Sequence, residues 1–298
     1  MKNIRYILEA LALGIFLIIS KILPVEWASN MGGWIGHTIG PRLAASRKAR
    51  TNVELALPDL NSEEVDKIIS GMWENLGRVM MEYPHLKKIA RDRTEIIGGD
   101  ILKQYLGKPV VLISAHLANW EVIPTSTYLQ QQVKVSSVYR APNNPIVDKL
   151  LNYSRSLGGR LGTIPKSKTG ARNLVQELQN NHNVGILIDQ KFNEGVPADF
   201  FGRPAMTSPV FVKLAQKFNC PLIPIYIERL PHTRFRVMFM EPLDIKEKTV
   251  DESIAMAHGI LEDWIREKPQ HWLWLHRRWD SGKLKEQEKE EEENYELT

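Results

Sequence analysis

Short apolar runs separated by helix signals constrain the fold of this chain more than any other feature. Val110 to Ser114, Val133 to Tyr139 and Val184 to Ile188 are rich in β-branched residues and read as buried strands. Leu222 to Ile227 and Phe235 to Met240 read as two more. Asn144-Pro145 is a cap followed by a first-turn proline, and it opens a helix that Gly158 closes. Thr169 is expected to cap the next helix, with Leu174, Val175 and Leu178 on one face, and Ser208-Pro209 opens another through Phe218. Thr249 and Glu252 form a capping box for a helix that Pro269 stops. Ahead of all these, Val65, Ile68, Ile69, Met72, Leu76, Val79 and Met80 recur at 3.6-residue spacing, an amphipathic helix ending near Pro84. Strands alternating with helices predict an α/β fold, a central sheet, mostly parallel or mixed, flanked by helices.

The 298 residues suffice for one large core. They divide into an expected membrane anchor helix over 1–24, a catalytic-sized domain over 25–282 and an acidic, disordered tail over 283–298. Tyr6 to Leu23 is predominantly apolar, with Glu9 and Lys21 its only charges, and is borderline in length for a span. Leu23-Pro24-Val25-Glu26-Trp27 is a poor signal-peptide cleavage site, so a single span or a half-inserted anchor is favoured over a leader, with a buried core helix as the other reading. Trp27, Met31, Trp34 and Ile35 follow at helical spacing, either at a membrane boundary or in a core. Gly32, Gly33 and Gly36 among them permit close helix contact, and Arg42, Arg47, Lys48 and Arg50 form a basic cluster just beyond.

The tail holds three Lys and seven Glu, so it carries −4 of the net +4 and leaves +8 on the body. That charge suits acidic partners. The basic residues are scattered, with no dense stripe interleaved with aromatics, which argues against nucleic acid. The single cysteine, Cys220, leads into an apolar run and reads as a small core residue.

The strand ending at Ser114 runs into Ala115-His116-Leu117-Ala118-Asn119-Trp120-Glu121. Acyl transfer to an alcohol needs a base for the hydroxyl proton, and imidazole serves near neutrality. A carboxylate on the other ring nitrogen would fix the tautomer, and Glu121 is the expected partner. The acceptor itself attacks, so no nucleophilic Ser or Cys is required. The spacing is not that of a zinc protease, and neither a Gly-x-Ser-x-Gly elbow nor a phosphate-binding Gly-rich loop occurs. No metal and no cofactor is called for. Arg140 ends the second strand and Asp189 the third, so three strand ends present His, Arg and Asp along one edge. Arg203 follows an aromatic turn, and His276, Arg277 and Arg278 offer cations suited to phosphate. With Asn119, these are the candidate substrate-binding residues.

On these residues the chain resembles the bacterial lipid A biosynthesis acyltransferases, the late lauroyl and myristoyl transferases. The match runs from about Arg47 to Trp279. It rests on His116 and Glu121 within AHLANWE, on Tyr139, Arg140 and Pro142 followed by Asn144-Pro145, on Asp189, and on the closing Trp274 to Trp279. The resemblance implies an N-terminal membrane helix at the bacterial inner membrane with the catalytic domain on its cytoplasmic side. It implies an acyl-carrier-protein thioester as donor and a phosphorylated lipid A precursor as acceptor. Asp189-Gln190-Lys191-Phe192 matches the lauroyl members only loosely, which leaves acyl length and acceptor position open. A glycerolipid or lysophospholipid acyltransferase, and a basic membrane-binding protein without catalysis, are the alternatives.

Overall fold

The structure, a computed structural model, describes residues 2–279. The acidic tail expected over 283–298 lies outside the described residues. Helices α1 (Lys2–Ile22), α2 (Val25–Ile39), α3 (Ser46–Ala56), α4 (Ser62–Glu82) and α5 (Leu86–Asp92) come first, then strand β1 (Thr94–Ile97) and helix α6 (Gly99–Lys103). The body continues as β2 (Val111–Ser114), α7 (Val122–Gln131), β3 (Val135–Tyr139), α8 (Pro145–Arg155), β4 (Thr163–Pro165), α9 (Lys168–Gln179) and β5 (Asn183–Leu187). A hairpin of β6 (Val196–Phe200) and β7 (Arg203–Thr207) precedes α10 (Val210–Phe218), β8 (Leu222–Leu230), β9 (Arg234–Phe239) and α11 (Val250–Glu267).

Seven strands form one sheet in the order β1-β9-β8-β2-β5-β3-β4. All neighbouring pairs are parallel except β8 and β9, which are antiparallel. The α/β expectation therefore holds, with a mixed sheet. All five strands read from the sequence are present. β1, β4 and the β6–β7 hairpin were not foreseen, because each is short and lacks a sustained apolar run. The helix expected to be capped by Thr169 starts earlier, because the Ser167 hydroxyl accepts from the Gly170 amide. The capping box at Thr249 is present as expected. Cys220 is buried in the core.

Glycines at the crossing of α2 and α4 let the two backbones touch. A Cβ on Gly36 would stand 2.1 Å from the Trp73 carbonyl oxygen, and one on Gly77 would stand 2.0 Å from the Gly32 carbonyl oxygen. Both are impossible contacts, so the small residues set the distance between these helices. Trp27 and Trp34, on the other face of α2, are exposed, which removes them from the core.

No helix among the described residues is long and apolar enough to cross a membrane. α1 is two-faced instead. Ile4, Leu8, Leu11, Ile15, Ile18 and Ile22 fall on one exposed stripe at helical spacing. The other face is fastened to the body: Ser20 Oγ donates to the Met81 carbonyl, Lys21 Nζ donates to Pro84 O, and Asn144 Nδ2 donates to Tyr6 O at 2.8 Å and Glu9 Oε2 at 3.0 Å. The expected division at residue 24 thus falls between two helices that both pack against the body.

Candidate active site

β2 and β5 are adjacent and parallel, with Ser114 opposite Leu187. His116 and Asp189 each lie two residues beyond that pair, so strand register alone brings them to the same height. The His116 ring presents Nδ1 to Asp189 Oδ1 at 2.8 Å, and the His116 backbone amide donates to Asp189 Oδ2 at 3.0 Å. Trp272 Nε1 donates to the same Oδ2 at 2.7 Å. Burial would raise the Asp189 carboxyl, but the charge of His116, its two hydrogen bonds and that of Trp272 hold it well below the usual carboxylate range. An ionised Asp189 fixes His116 with the proton on Nδ1 and the Nε2 lone pair free to accept. The Gln190 amide stands 3.2 Å from that Nε2.

The sequence reading gave the orienting role to Glu121 and a substrate role to Asp189; the carboxylate in contact with the His116 ring is that of Asp189. Glu121 points elsewhere. Its Oε1 accepts from Tyr83 Oη and Arg155 Nη2, both at 2.5 Å, and its Oε2 accepts from Arg155 Nε at 2.8 Å. Burial raises the Glu121 carboxyl, and the Arg155 charge and hydrogen bonds outweigh it, so it too stays ionised. The reason lies in the local backbone. After the left-handed Ala118, with φ +46°, the chain turns into α7, and Glu121 leaves the sheet edge for the C-terminal end of α8. Asn144 prepares that end from afar: its side chain accepts from the Ile146 and Val147 amides and starts the helix that carries Arg155. The Arg155 guanidinium also lies over the Tyr139 ring, 5.0 Å from its centroid.

His116, Glu121, Arg140, Arg155, Gln190 and His276 line one cavity of about 320 Å³. Arg140 and His276 are its exposed lining residues. Its deeper wall is apolar, made by Leu112, Val135 and Leu187 from the sheet and Ile123 and Pro124 from α7. Three strand ends thus meet at this edge, as the sequence suggested, with Arg140 at the end of β3. The His276 ring stands 6.0 Å from that of His116, and Arg277 is exposed.

Three other candidates do not reach the cavity. Asn119 is buried, donating to Glu82 Oε2 at 2.7 Å. Arg203 starts β7 and donates from Nε to the Leu55 carbonyl at 3.1 Å. Arg278, expected on phosphate, is buried: it donates to Met206 O at 2.9 Å and Thr207 Oγ1 at 2.8 Å, and lies over the Phe200 ring. The closing Trp-Leu-Trp-Leu-His-Arg-Arg-Trp segment is a buttress more than a phosphate clamp. Leu273 N donates to His116 O at 3.1 Å and Ala118 N to His271 O at 3.0 Å, so the segment runs beside the His116 loop and carries Trp272 to Asp189. Tyr83, Arg155, Gln190 and Trp272 escaped the sequence reading. Only the cap at Asn144-Pro145 hinted at Arg155, by fixing where α8 starts.

His258 beside Arg278 makes a testable acid limb. Burial, then the Arg278 charge, pushes its imidazole down to about 4 against the opposing Asp199 carbonyl. Below the ordinary value of 6.5 the unfolded chain takes up this proton first. Its contribution to stability is therefore complete above that pH and falls away as pH drops toward 4. Urea unfolding of His258→Gln, which keeps an acceptor for Arg278, should lose about 2 kcal/mol less than wild type between pH 7 and 5. Parallel losses in the two proteins would assign the limb to other groups.

The model of the bacterial lipid A biosynthesis acyltransferase family matches residues 1–281. A lipid A biosynthesis lauroyltransferase of Escherichia coli (strain K12) is 24% identical over 293 residues, covering 92% of each chain. A lipid A biosynthesis palmitoleoyltransferase of the same organism is 23% identical, covering 92% of this chain and 91% of its own. A lipid A biosynthesis acyltransferase of Haemophilus influenzae is 24% identical, covering 83% of this chain and 81% of its own. With its whole described length matched by the family model and its relatives aligned over most of both chains, the chain belongs to the bacterial lipid A biosynthesis acyltransferase family and is an acyltransferase.

Proposed function

We propose that this acyltransferase moves a fatty acyl group from an acyl-carrier-protein thioester to a hydroxyl of a lipid A precursor, with His116 as general base. The observation that carries the reading is His116, held by Asp189 through Nδ1, in a cavity walled by apolar side chains and lined by the exposed Arg140. The acyl chain occupies the apolar depth. Arg140, exposed at the end of β3, suits the phosphates of the acceptor or the acidic carrier.

His116 Nε2 takes the acceptor proton as the hydroxyl oxygen bonds to the thioester carbon. The C–S bond then breaks, and the proton on Nε2 passes to the departing thiolate. Gln190 moves aside from Nε2 for the acceptor, and Arg140 or backbone N–H groups stabilise the oxyanion. Glu121 holds Arg155 in place with Tyr83.

Membrane attachment follows the same reading, in the half-inserted form. Besides the exposed stripe of α1, Trp27, Trp34, Ile39 and Leu43 are exposed, and Arg42, Arg47 and Arg50 gather around Leu43. An apolar stripe of this kind, together with exposed aromatic and cationic residues, suits burial at the lipid interface. The cytoplasmic leaflet is the proposed surface.

Acceptor competition tests the reading. Detergent-purified protein offered one acyl thioester with equal lipid A precursor and lysophospholipid should add one acyl mass to the former. Acylation of the lysophospholipid alone would replace the lipid A reading with a glycerolipid one.

A further inference from the structure

Gly185 occupies the middle of β5, the strand between β2 and β3. A glycine there weakens a strand and marks a place where something else approaches the backbone. The register shows what approaches. Leu112 lies opposite Gly185 on one side and Ser137 opposite it on the other. Because side chains alternate between faces, Leu112, Gly185 and Ser137 form a row on one face, and Ser114, Leu187 and Tyr139 form the next row toward the strand ends. All six line the cavity below His116. The inner row is small at two of its three positions.

A Cβ on Gly185 would meet only Val135 Cγ1 at 3.1 Å and Ser137 Oγ at 3.8 Å. Nothing else stands within 4 Å, so larger side chains at this position have only the cavity to fill. Val135 itself is buried and lines the cavity's inner end. The row of Gly185 lies four residues down the strand from His116 on β2, about 13 Å at the usual strand rise. That is a depth suited to a medium-length acyl tail.

We propose that the missing side chain at Gly185, with Ser137 beside it, sets how long an acyl chain the enzyme accepts. The inference rests on the acyl-binding reading of the cavity. An acyl chain whose thioester carbon sits by His116 runs down the sheet face beneath Ile123 and Pro124 of α7. Its methyl end reaches the Gly185 row, where a glycine leaves space that a branched residue would take.

The test compares full-length wild type, Gly185→Ala, Gly185→Val and Ser137→Val with acyl-carrier-protein thioesters of graded length and lipid A precursor. The ratio of kcat/KM for the longest accepted donor to that for the shortest should fall about tenfold or more in Gly185→Val. It should fall less in Gly185→Ala, in the same direction. Ser137→Val narrows the same level from β3 and decides the matter if Gly185→Val fails to fold. Folded variants whose length profile superimposes on wild type, or whose activity drops equally at every length, would overturn the inference. Absence of transfer by wild type at any length is a different result and would remove the acyl reading itself.

Discussion

Asp189→Asn should lower kcat by about 10²–10⁴, nearly as much as His116→Ala, although Asp189 is buried and does not line the cavity. The loss follows from the hydrogen bonds at the edge of β2 and β5. An ionised Asp189 accepts from His116 Nδ1 and leaves Nε2 as the basic nitrogen facing the cavity. An asparagine of the same shape can turn its amide toward Nδ1, which moves the ring proton to Nε2 and abolishes the base. The backbone amide of His116 and the indole of Trp272 both donate to Oδ2, so the asparagine oxygen stays with them and its amide nitrogen is the end left facing Nδ1. Glu121→Gln acts differently. Its loss frees Arg155, so KM should rise more than kcat falls. Steady-state kinetics of the three variants separates these roles. Near wild-type kcat in Asp189→Asn, with collapse in Glu121→Gln, would return the orienting role to Glu121.

Arg229→Ala should destabilise the protein by about 3–5 kcal/mol, the cost of leaving a buried charge without its partner. Glu82, at the end of α4, is fully buried. Arg229 Nη1 donates to its Oε1 at 2.6 Å and Nη2 to its Oε2 at 3.1 Å, while Ser29 and Asn119 complete the oxygens at 2.7 Å each. Burial pushes the Glu82 carboxyl up, and Arg229's charge and hydrogen bonds outweigh that, so the pair folds in ionised. Arg229 Nε also donates to Asn75, whose amide donates to Ala118 O at 2.9 Å. This network therefore supports the left-handed residue of the His116 loop from beneath. Adding Glu82→Gln to Arg229→Ala should recover part of the loss, because the second change removes the stranded charge. Urea unfolding of the single and double variants measures both. Additive losses would show that the pair contributes nothing as a pair.

The residues that meet at the sheet edge were legible where the signal is local. His116 at a strand end, Arg140 at another and Asp189 at a third are positions that periodicity and composition expose. Which carboxylate contacts the His116 ring was not legible, because Glu121 is near in sequence and Asp189 near only through strand order. That order places β5 beside β2, although β3 and β4 intervene along the chain. Arg278 misled for a related reason: paired arginines in a C-terminal segment look like a phosphate clamp. Only the packing of that segment against β7 and α11 shows that one of them is enclosed. The short strands β1 and β4 take their structure from the neighbours they pair with, β9 and β3, and carry little signal of their own.

The most direct measurement is the mass of a lipid A precursor after incubation with an acyl-carrier-protein thioester and purified wild type or His116→Ala. The account predicts a gain of one acyl group with wild type and a rate lower by about 10²–10⁴ with the variant. Equal product from the two folded proteins would contradict it.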